Sequence, residues 1–377
     1  VTEGLVSFDH GPLNGATAFS DPVDVIRADS PEQVHQAFER LNAATKAGKW
    51  LAGYFSYELG YCLEPRLTHL IPDGRKTPLI LMGVYDGCYP AAPIPNPHDD
   101  MPLSGLTPAL GQADYLEKFQ AVHDYLCAGD AYQVNLTFPL TLRSTATAPA
   151  LYAALQQAQP VAYGAYVDLG GPILLSRSPE LFFQVNTDRL IETRPMKGTA
   201  ARGKSEAEDV EAREWLARSE KNQAENLMIV DLLRNDLSRI SQVGSVKVPD
   251  LFQIETYTTV HQMVSKVQAQ LLPNVGLVDI LKAIFPCGSI TGAPKLRAME
   301  IIRELEDTPR DAYCGAIGWV APSGQMRFNV AIRTLLMQAN GDLQVNAGGG
   351  IVYDSTGTEE FQEALWKTRY LKTTPQI

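Results

Sequence analysis

The chain has 377 residues, 45% of them hydrophobic, which is enough for two domains or one large one. Its 43 acidic against 32 basic residues give a net charge of −11, and no Lys/Arg-rich run is present, which argues against nucleic acid as a partner. Five scattered cysteines without a C-x-x-C pair point away from disulfides or thiolate zinc and towards the cytoplasm, and no apolar run approaches the roughly 18 residues of a membrane span.

In chain order, residues 30–48 (SPEQVHQAFERLNAATKAG) carry helical spacing behind a Ser-Pro start, and 50–61 (WLAGYFSYELGY) read as a buried strand entering a turn. Repeated prolines over 89–110 rule out helix and inner strand and predict a long connection, so a boundary is placed there. An amphipathic helix over 113–130 leads into a strand over 131–142. Residues 208–240 are predicted helical with a break near Lys221-Asn222, and 256–271 alternate as a strand. The stretch 314–354, punctuated by Pro-Ser-Gly and Asn-Gly, predicts a three-stranded antiparallel meander, and 358–372 a closing helix. Hairpins separated by helices imply an α+β fold of antiparallel sheets, and neither G-x-G-x-x-G after a strand nor G-x-x-x-x-G-K-[ST] supports nucleotide binding.

Four places could carry chemistry. Glu360 and Glu363 share a helix face with Lys367, and Glu225 lies on the earlier helix, so carboxylates from two helices could meet on one hard cation such as Mg²⁺. Taken singly, each helix also fits a solvated surface with an i, i+4 pair. The loop FPCGSITGAPK (285–295) brings glycines and Pro294 to a helix start, an anion site to which Thr291 and Lys295 would add donors, or an ordinary cap. Three glycines in NAGGGIVYD (346–354) mark a close approach or a bulge, with Arg333 on a neighbouring strand as a forked donor for a carboxylate. Finally, RPMKGTA (194–200) holds Lys197 at what reads as a tight turn after a strand. Alone, His261 fits a structural role, and there is no H-E-x-x-H or G-x-S-x-G.

Nine segments in order, AYQVNLT (131–137), SRSPELFF (176–183), RPMKGT (194–199), KNQAENLMIVDLLRND (221–236), GSITGAPK (288–295), YCGAIGW (313–319), RFNVAIRT (327–334), AGGGIV (347–352) and EEFQEALWK (359–367), resemble the chorismate-utilising family that includes anthranilate synthase component I. The resemblance implies two stacked, mainly antiparallel sheets flanked by helices in α/β/β/α layers. Residues 1–100 would form an N-terminal subdomain packed as one unit with a chorismate-binding domain over 112–372. It implies that Glu225 and Glu363 ligate Mg²⁺ with Glu360 close by, and that Thr291, Gly292, Lys295, Tyr313, Arg333, Gly349 and Lys367 bind substrate. His261 would sit near the departing hydroxyl and Glu180 would be the general acid.

Two positions sort the branches of the family. Water-using members carry a lysine base where this chain has Gln133, and anthranilate synthases have alanine where Lys197 stands. The resemblance therefore implies amination of chorismate by ammonia to 4-amino-4-deoxychorismate, on the way to p-aminobenzoate and folate, through a covalent Lys197 adduct. No Cys–His–Glu glutaminase arrangement is present, so a separate amidotransferase subunit is the expected partner. An anthranilate synthase large subunit, or a non-catalytic chorismate- or amino-acid-binding sensor on the same fold, are the alternatives.

Overall fold

The computed structural model describes residues 4–92, 103–257, 260–371 and 373–374. Among these residues two sheets stand face to face, and one observation shows why: successive residues of a strand belong to different cores. In the strand Trp50–Phe55, Leu51 and Phe55 join one apolar cluster while Ala52 and Tyr54 join another, and Ile80, Met82 and Val84 part from Leu81 and Tyr85 in the same way. A strand with both faces apolar must be covered on both sides, by a sheet on one and by helices on the other.

The cluster between the sheets holds Phe8 and Phe19 from the first sheet and Tyr54, Tyr85 and Trp319 from the second. The second sheet's outer face is covered by the helices Pro31–Lys46, Glu220–Ser238 and Leu277–Ile284, and the first sheet's by Gln112–Cys127, Ala148–Ala158, Lys295–Leu305 and Gly357–Trp366. The layering is the α/β/β/α arrangement expected, and all strand pairings among the described residues are antiparallel except that of Thr373–Thr374 with Leu103–Pro108. Strands from the first 90 residues add to both sheets: Leu5–Phe8 pairs with Tyr163–Asp168 in the first, and Trp50–Phe55 with Ala316–Val320 in the second. No described helix is long and apolar enough to cross a membrane.

Three local expectations change. The proline-rich stretch 89–110 is flanked by short strands, Tyr89–Pro90 and Leu103–Pro108, at or next to the margins of the first sheet, where proline is tolerated; its centre, 93–102, lies outside the described residues. Residues 314–354 are not one three-stranded meander. They form two hairpins, Ala316–Val320 with Met326–Val330 in the second sheet and Thr334–Met337 with Asp342–Ile351 in the first. An unpredicted strand, Lys247–Thr256, pairs with Val260–Gln270. The helical stretch 208–240 does break, at Ser219, whose hydroxyl accepts from the Asn222 N–H and caps the second helix.

Two crossovers join the sheets at one place. The chain passes from the first sheet to the second between Ile173–Ser178 and Leu181–Val185, and back again between Met326–Val330 and Thr334–Met337. The crossovers are bonded to each other, Arg177 N–H donating to Arg333 O at 2.9 Å and Val330 N–H to Glu180 O at 3.1 Å.

Beneath them lies a buried arginine. Arg310, 2% exposed, donates to both carboxylate oxygens of Glu306 at 2.7 and 2.8 Å, to Ile290 O at 2.9 Å and to Asn135 O at 2.7 Å, and stacks over the Tyr57 ring. It ties the strand Gln133–Ser144 to the loop before Lys295–Leu305. Breaking a buried pair leaves the other charge uncompensated, so Arg310→Met is expected to lose about 3–5 kcal/mol in urea unfolding. A loss under about 1 kcal/mol would show that the guanidinium does not tie these elements.

Candidate active site

A cavity of about 660 Å³ opens where the crossovers meet the helices Glu220–Ser238 and Gly357–Trp366. Lys197 projects into it from the strand Met196–Ala201. The segment is not the tight turn expected. Pro195 interrupts the preceding strand, Leu190–Thr193, and the chain re-pairs with Val260–Gln270 through a register shift between Met196 and Thr199. A bulge of this kind re-aims a side chain. Gly198 in the bulge has φ +83°, and a Cβ there would stand 2.8 Å from Asn222 Cγ, so glycine is needed for both conformation and space.

The run 348–350 makes room in the opposite wall. A Cβ on Gly350 would lie 2.9 Å from Lys197 Nζ and 2.8 Å from Gln133 Nε2, and one on Gly349 would lie 3.0 Å from Glu360 Oε2 and 3.4 Å from Lys367 Nζ. Behind Gly350, Gln133 is fully buried with neither side-chain polar atom partnered among the described residues.

Charge divides the cavity into two ends. At one, Glu225, Glu360 and Glu363 line the wall with Lys221 and Lys367. Lys367 Nζ pairs with Glu363 Oε1 at 2.9 Å and donates to Gly348 O at 2.8 Å, and the Lys367 charge holds the Glu363 carboxyl below the usual range. Burial pushes Glu225 and Glu360 up, although Ser355 Oγ donates to Glu360 Oε1 at 2.7 Å. At the other end is Arg333, in the crossover at φ +50°; burial lowers its pKa, and its titratable neighbours are the Tyr370 phenol and Glu180 rather than the three glutamates.

Between the ends sit Lys197 and Glu180. Burial pulls the Lys197 amine below its ordinary value, helped by Lys367 and opposed by Glu225, Glu180 and Glu360. Burial raises Glu180, 4% exposed, to about 7, against the opposing hydrogen bond from Ser289 Oγ at 2.7 Å and the nearby Lys197 charge. A carboxyl near neutrality beside a depressed lysine is a pattern of functional sites.

The carboxylate-only set at the first end suits a hard, oxygen-preferring cation. Among the described residues no three His, Cys, Asp or Glu side chains are placed to hold a metal by themselves. Glu225, Glu360 and Glu363 are thus not a closed three-carboxylate cage, and the set fits an ion that shares its coordination with water and a ligand's oxygens.

A match to the chorismate binding enzyme family runs over residues 6–373. The chain belongs to that family. Aminodeoxychorismate synthase component 1 of Escherichia coli (strain K12) is 44% identical over 279 residues, 74% of this chain and 61% of that protein. The protein of the same name from Bacillus subtilis (strain 168) is 39% identical over 253 residues, 67% of this chain and 53% of that one. The chain therefore spans 53–61% of the length of these two relatives. Among solved structures, anthranilate synthase component I from Streptococcus pneumoniae TIGR4 is similar with TM-score 0.75 and 29% identity, covering 86% of this chain and 81% of that one. The menaquinone-specific isochorismate synthase of Escherichia coli, 18% identical with TM-score 0.75 over 98% of this chain and 89% of that one, shares the fold. The fold is that of the anthranilate synthase component I-like proteins.

Within this family member, the structure brings Lys197, Glu180, Glu225, Glu360, Glu363, Tyr313, Arg333, Gly349 and Lys367 into one cavity wall. Five residues expected at the site do not line it, Gln133 among them, buried behind Gly350. His261 turns to the other face of its strand, between Thr256 Oγ1 (2.9 Å) and Asp209 Oδ1 (3.0 Å), because Gln262 takes the cavity side. Lys295 is engaged by Asp236 at 2.5 Å and by Ile284 O at 2.8 Å. Thr291 Oγ1 donates to Cys287 O at 3.0 Å, and Gly292 packs on Gln133 O, so this loop fastens to the strand Gln133–Ser144 instead of forming an open anion site. The loop does contribute Ser289 and Ile290, the serine unpredicted although it stands between the loop's glycines; Lys221 and Tyr370 are likewise absent from the motif-based set.

The raised Glu180 has a consequence for stability. Its carboxyl ionises near 4.3 in the unfolded chain and near 7 in the fold. Below about pH 4 both states hold the proton; between the two values the fold keeps a proton the unfolded chain has released, so rising pH costs stability, in full above pH 7, by roughly 3–4 kcal/mol. Glu180→Gln removes that cost. Its unfolding free energy relative to wild type should climb between about pH 4.5 and 7 and level off above, measured by urea titration; a difference independent of pH would show that the carboxyl is not raised.

Proposed function

We propose that the chain binds chorismate in this cavity and exchanges its ring hydroxyl for an amino group from ammonia, giving 4-amino-4-deoxychorismate. The observation that carries this reading is the meeting of Lys197 and Glu180 in one cavity: an amine held towards its neutral form facing a carboxyl held towards its protonated form. Such a pair supplies a nucleophile and an acid together. The similarity to proteins named aminodeoxychorismate synthase component 1 supports the same branch.

Neutral Lys197 adds to the ring carbon beside the carboxylate-bearing one and gives up a proton as it becomes a secondary amine. The ring double bonds shift, and the hydroxyl departs as water with the proton of Glu180. Ammonia then adds at the vacated carbon and loses a proton, the double bonds shift back, and Lys197 leaves as a reprotonated amine. The net change is chorismate plus ammonia to product plus water, with the enolpyruvyl group retained. Mg²⁺ held by Glu225 and Glu363, with Glu360 beside them, would supply positive charge to the ring carboxylate. Gln133 has no basic atom with which to take a proton from water, which leaves ammonia as the competent nucleophile. A separate amidotransferase subunit would supply that ammonia, in keeping with the "component 1" of the relatives' names.

Lys197→Ala, given chorismate, Mg²⁺ and ammonium, should lose roughly a thousandfold or more in turnover while still binding chorismate. Product mass decides the branch: retention of the enolpyruvyl group is expected from wild type. Release of pyruvate would assign the anthranilate reaction instead, and unchanged turnover in the variant would remove the covalent step.

A further inference from the structure

We infer that Tyr370 is a substrate-binding residue, its hydroxyl donating to the same carboxylate that Arg333 receives, the one on the ligand's enolpyruvyl arm. The inference rests on the reading of the ligand as chorismate and adds a contact to it.

Three observations meet at this residue. Tyr370 lines the cavity, and its hydroxyl oxygen is buried with no hydrogen-bond partner among the described residues. A buried phenol that gives up water without a replacement is costly, so the arrangement makes sense when a ligand completes it. Its charged neighbour in the cavity is Arg333, which takes part in no salt bridge with a described residue and faces the same space. A forked guanidinium and a neutral donor side by side are a receptor for a carboxylate.

The third observation is spacing. Glu360, Glu363, Lys367 and Tyr370 succeed one another at intervals of three, four and three, and the hydrogen bonds from Lys367, Thr368 and Arg369 back to Glu363, Leu365 and Trp366 carry the helical turn past Trp366. The four side chains therefore form one stripe facing the cavity. At about 1.5 Å per residue as far as Lys367 and about 2 Å over the i→i−3 turn beyond it, the stripe runs roughly 16 Å from Glu360 to Tyr370, so the glutamates and the Arg333–Tyr370 pair stand at opposite ends of one ligand site. Lys197 is surrounded by the charges of the glutamate end, and it must reach the carbon next to the ring carboxylate. The ring carboxylate belongs at that end, and the arm's carboxylate at Tyr370.

The test measures chorismate binding to wild type and Tyr370→Phe by quenching of intrinsic fluorescence, for which Trp215 and Trp366 in the cavity wall serve as reporters. Phenylalanine keeps the ring's packing in the apolar cluster around Tyr115 and Phe361. The expected result is a Kd roughly tenfold or more higher in the variant, and a wild-type-to-variant ratio near one for chorismate esterified with methyl at the enolpyruvyl carboxylate. A Kd within twofold of wild type, or an equal loss for the ester, overturns this inference alone. Failure of the wild-type chain to bind chorismate would overturn the proposed function, and this inference with it.

Discussion

Two backbone hydrogen bonds between chain crossovers set the geometry on which the site depends. Each crossover moves the chain from one sheet to the other, and each presents one cavity-lining side chain at the seam, Glu180 on the outward passage and Arg333 on the return. Because Val330 N–H donates to Glu180 O and Arg177 N–H to Arg333 O, neither residue can shift without the other. The buried Arg310, reaching Asn135 and Ile290 below, fixes the floor to the same frame, and Ser289 beside Ile290 then meets the Glu180 carboxyl. A site assembled on sheet ends in this way is preorganised by the fold's own ladders.

Electrostatics follows from that frame. The cavity gathers both signs of charge in a space partly closed to water, where each group shifts its neighbours. Lys367 lowers Glu363 and also helps to lower Lys197, while Glu180, buried and held by the Ser289 hydroxyl and the Met196 backbone N–H, keeps its proton towards neutrality. The lysine and the glutamic acid oppose each other's shifts, since each favours the charged form of its partner; burial outweighs that attraction in both. A dianionic ligand entering with a cation would alter every one of these balances.

Layer architecture, most helices and the identity of the cavity's main residues are legible in the amino-acid sequence, because apolar periodicity and the ordered motifs report on segments as wholes. What a motif does not report is the side of the strand or loop on which a member lies. His261 and Gln262 are neighbours in one strand, yet only Gln262 faces the cavity. Lys295 has the charge an anion site needs but finds Asp236 on the adjacent helix, a pairing 59 residues away that no local pattern shows. The two hairpins of 314–354 read as one sheet because turn signals mark where a chain reverses and not which sheet it joins; Arg333 at the change of sheet carries no special turn residue. Tyr370 is legible in hindsight from its helical interval to Lys367, a spacing hidden by the end of the regular helix at Trp366.

The absent side chain at position 350 also shapes the wall of the cavity. Lys197 and Gln133 approach the same bare stretch of backbone from two directions, so any Cβ there would be a wedge driven between them. A side chain at 350 would require the ends of Lys197 and Gln133 to move aside, so what the bare backbone gives the site is the placement of the amine and the amide next to each other.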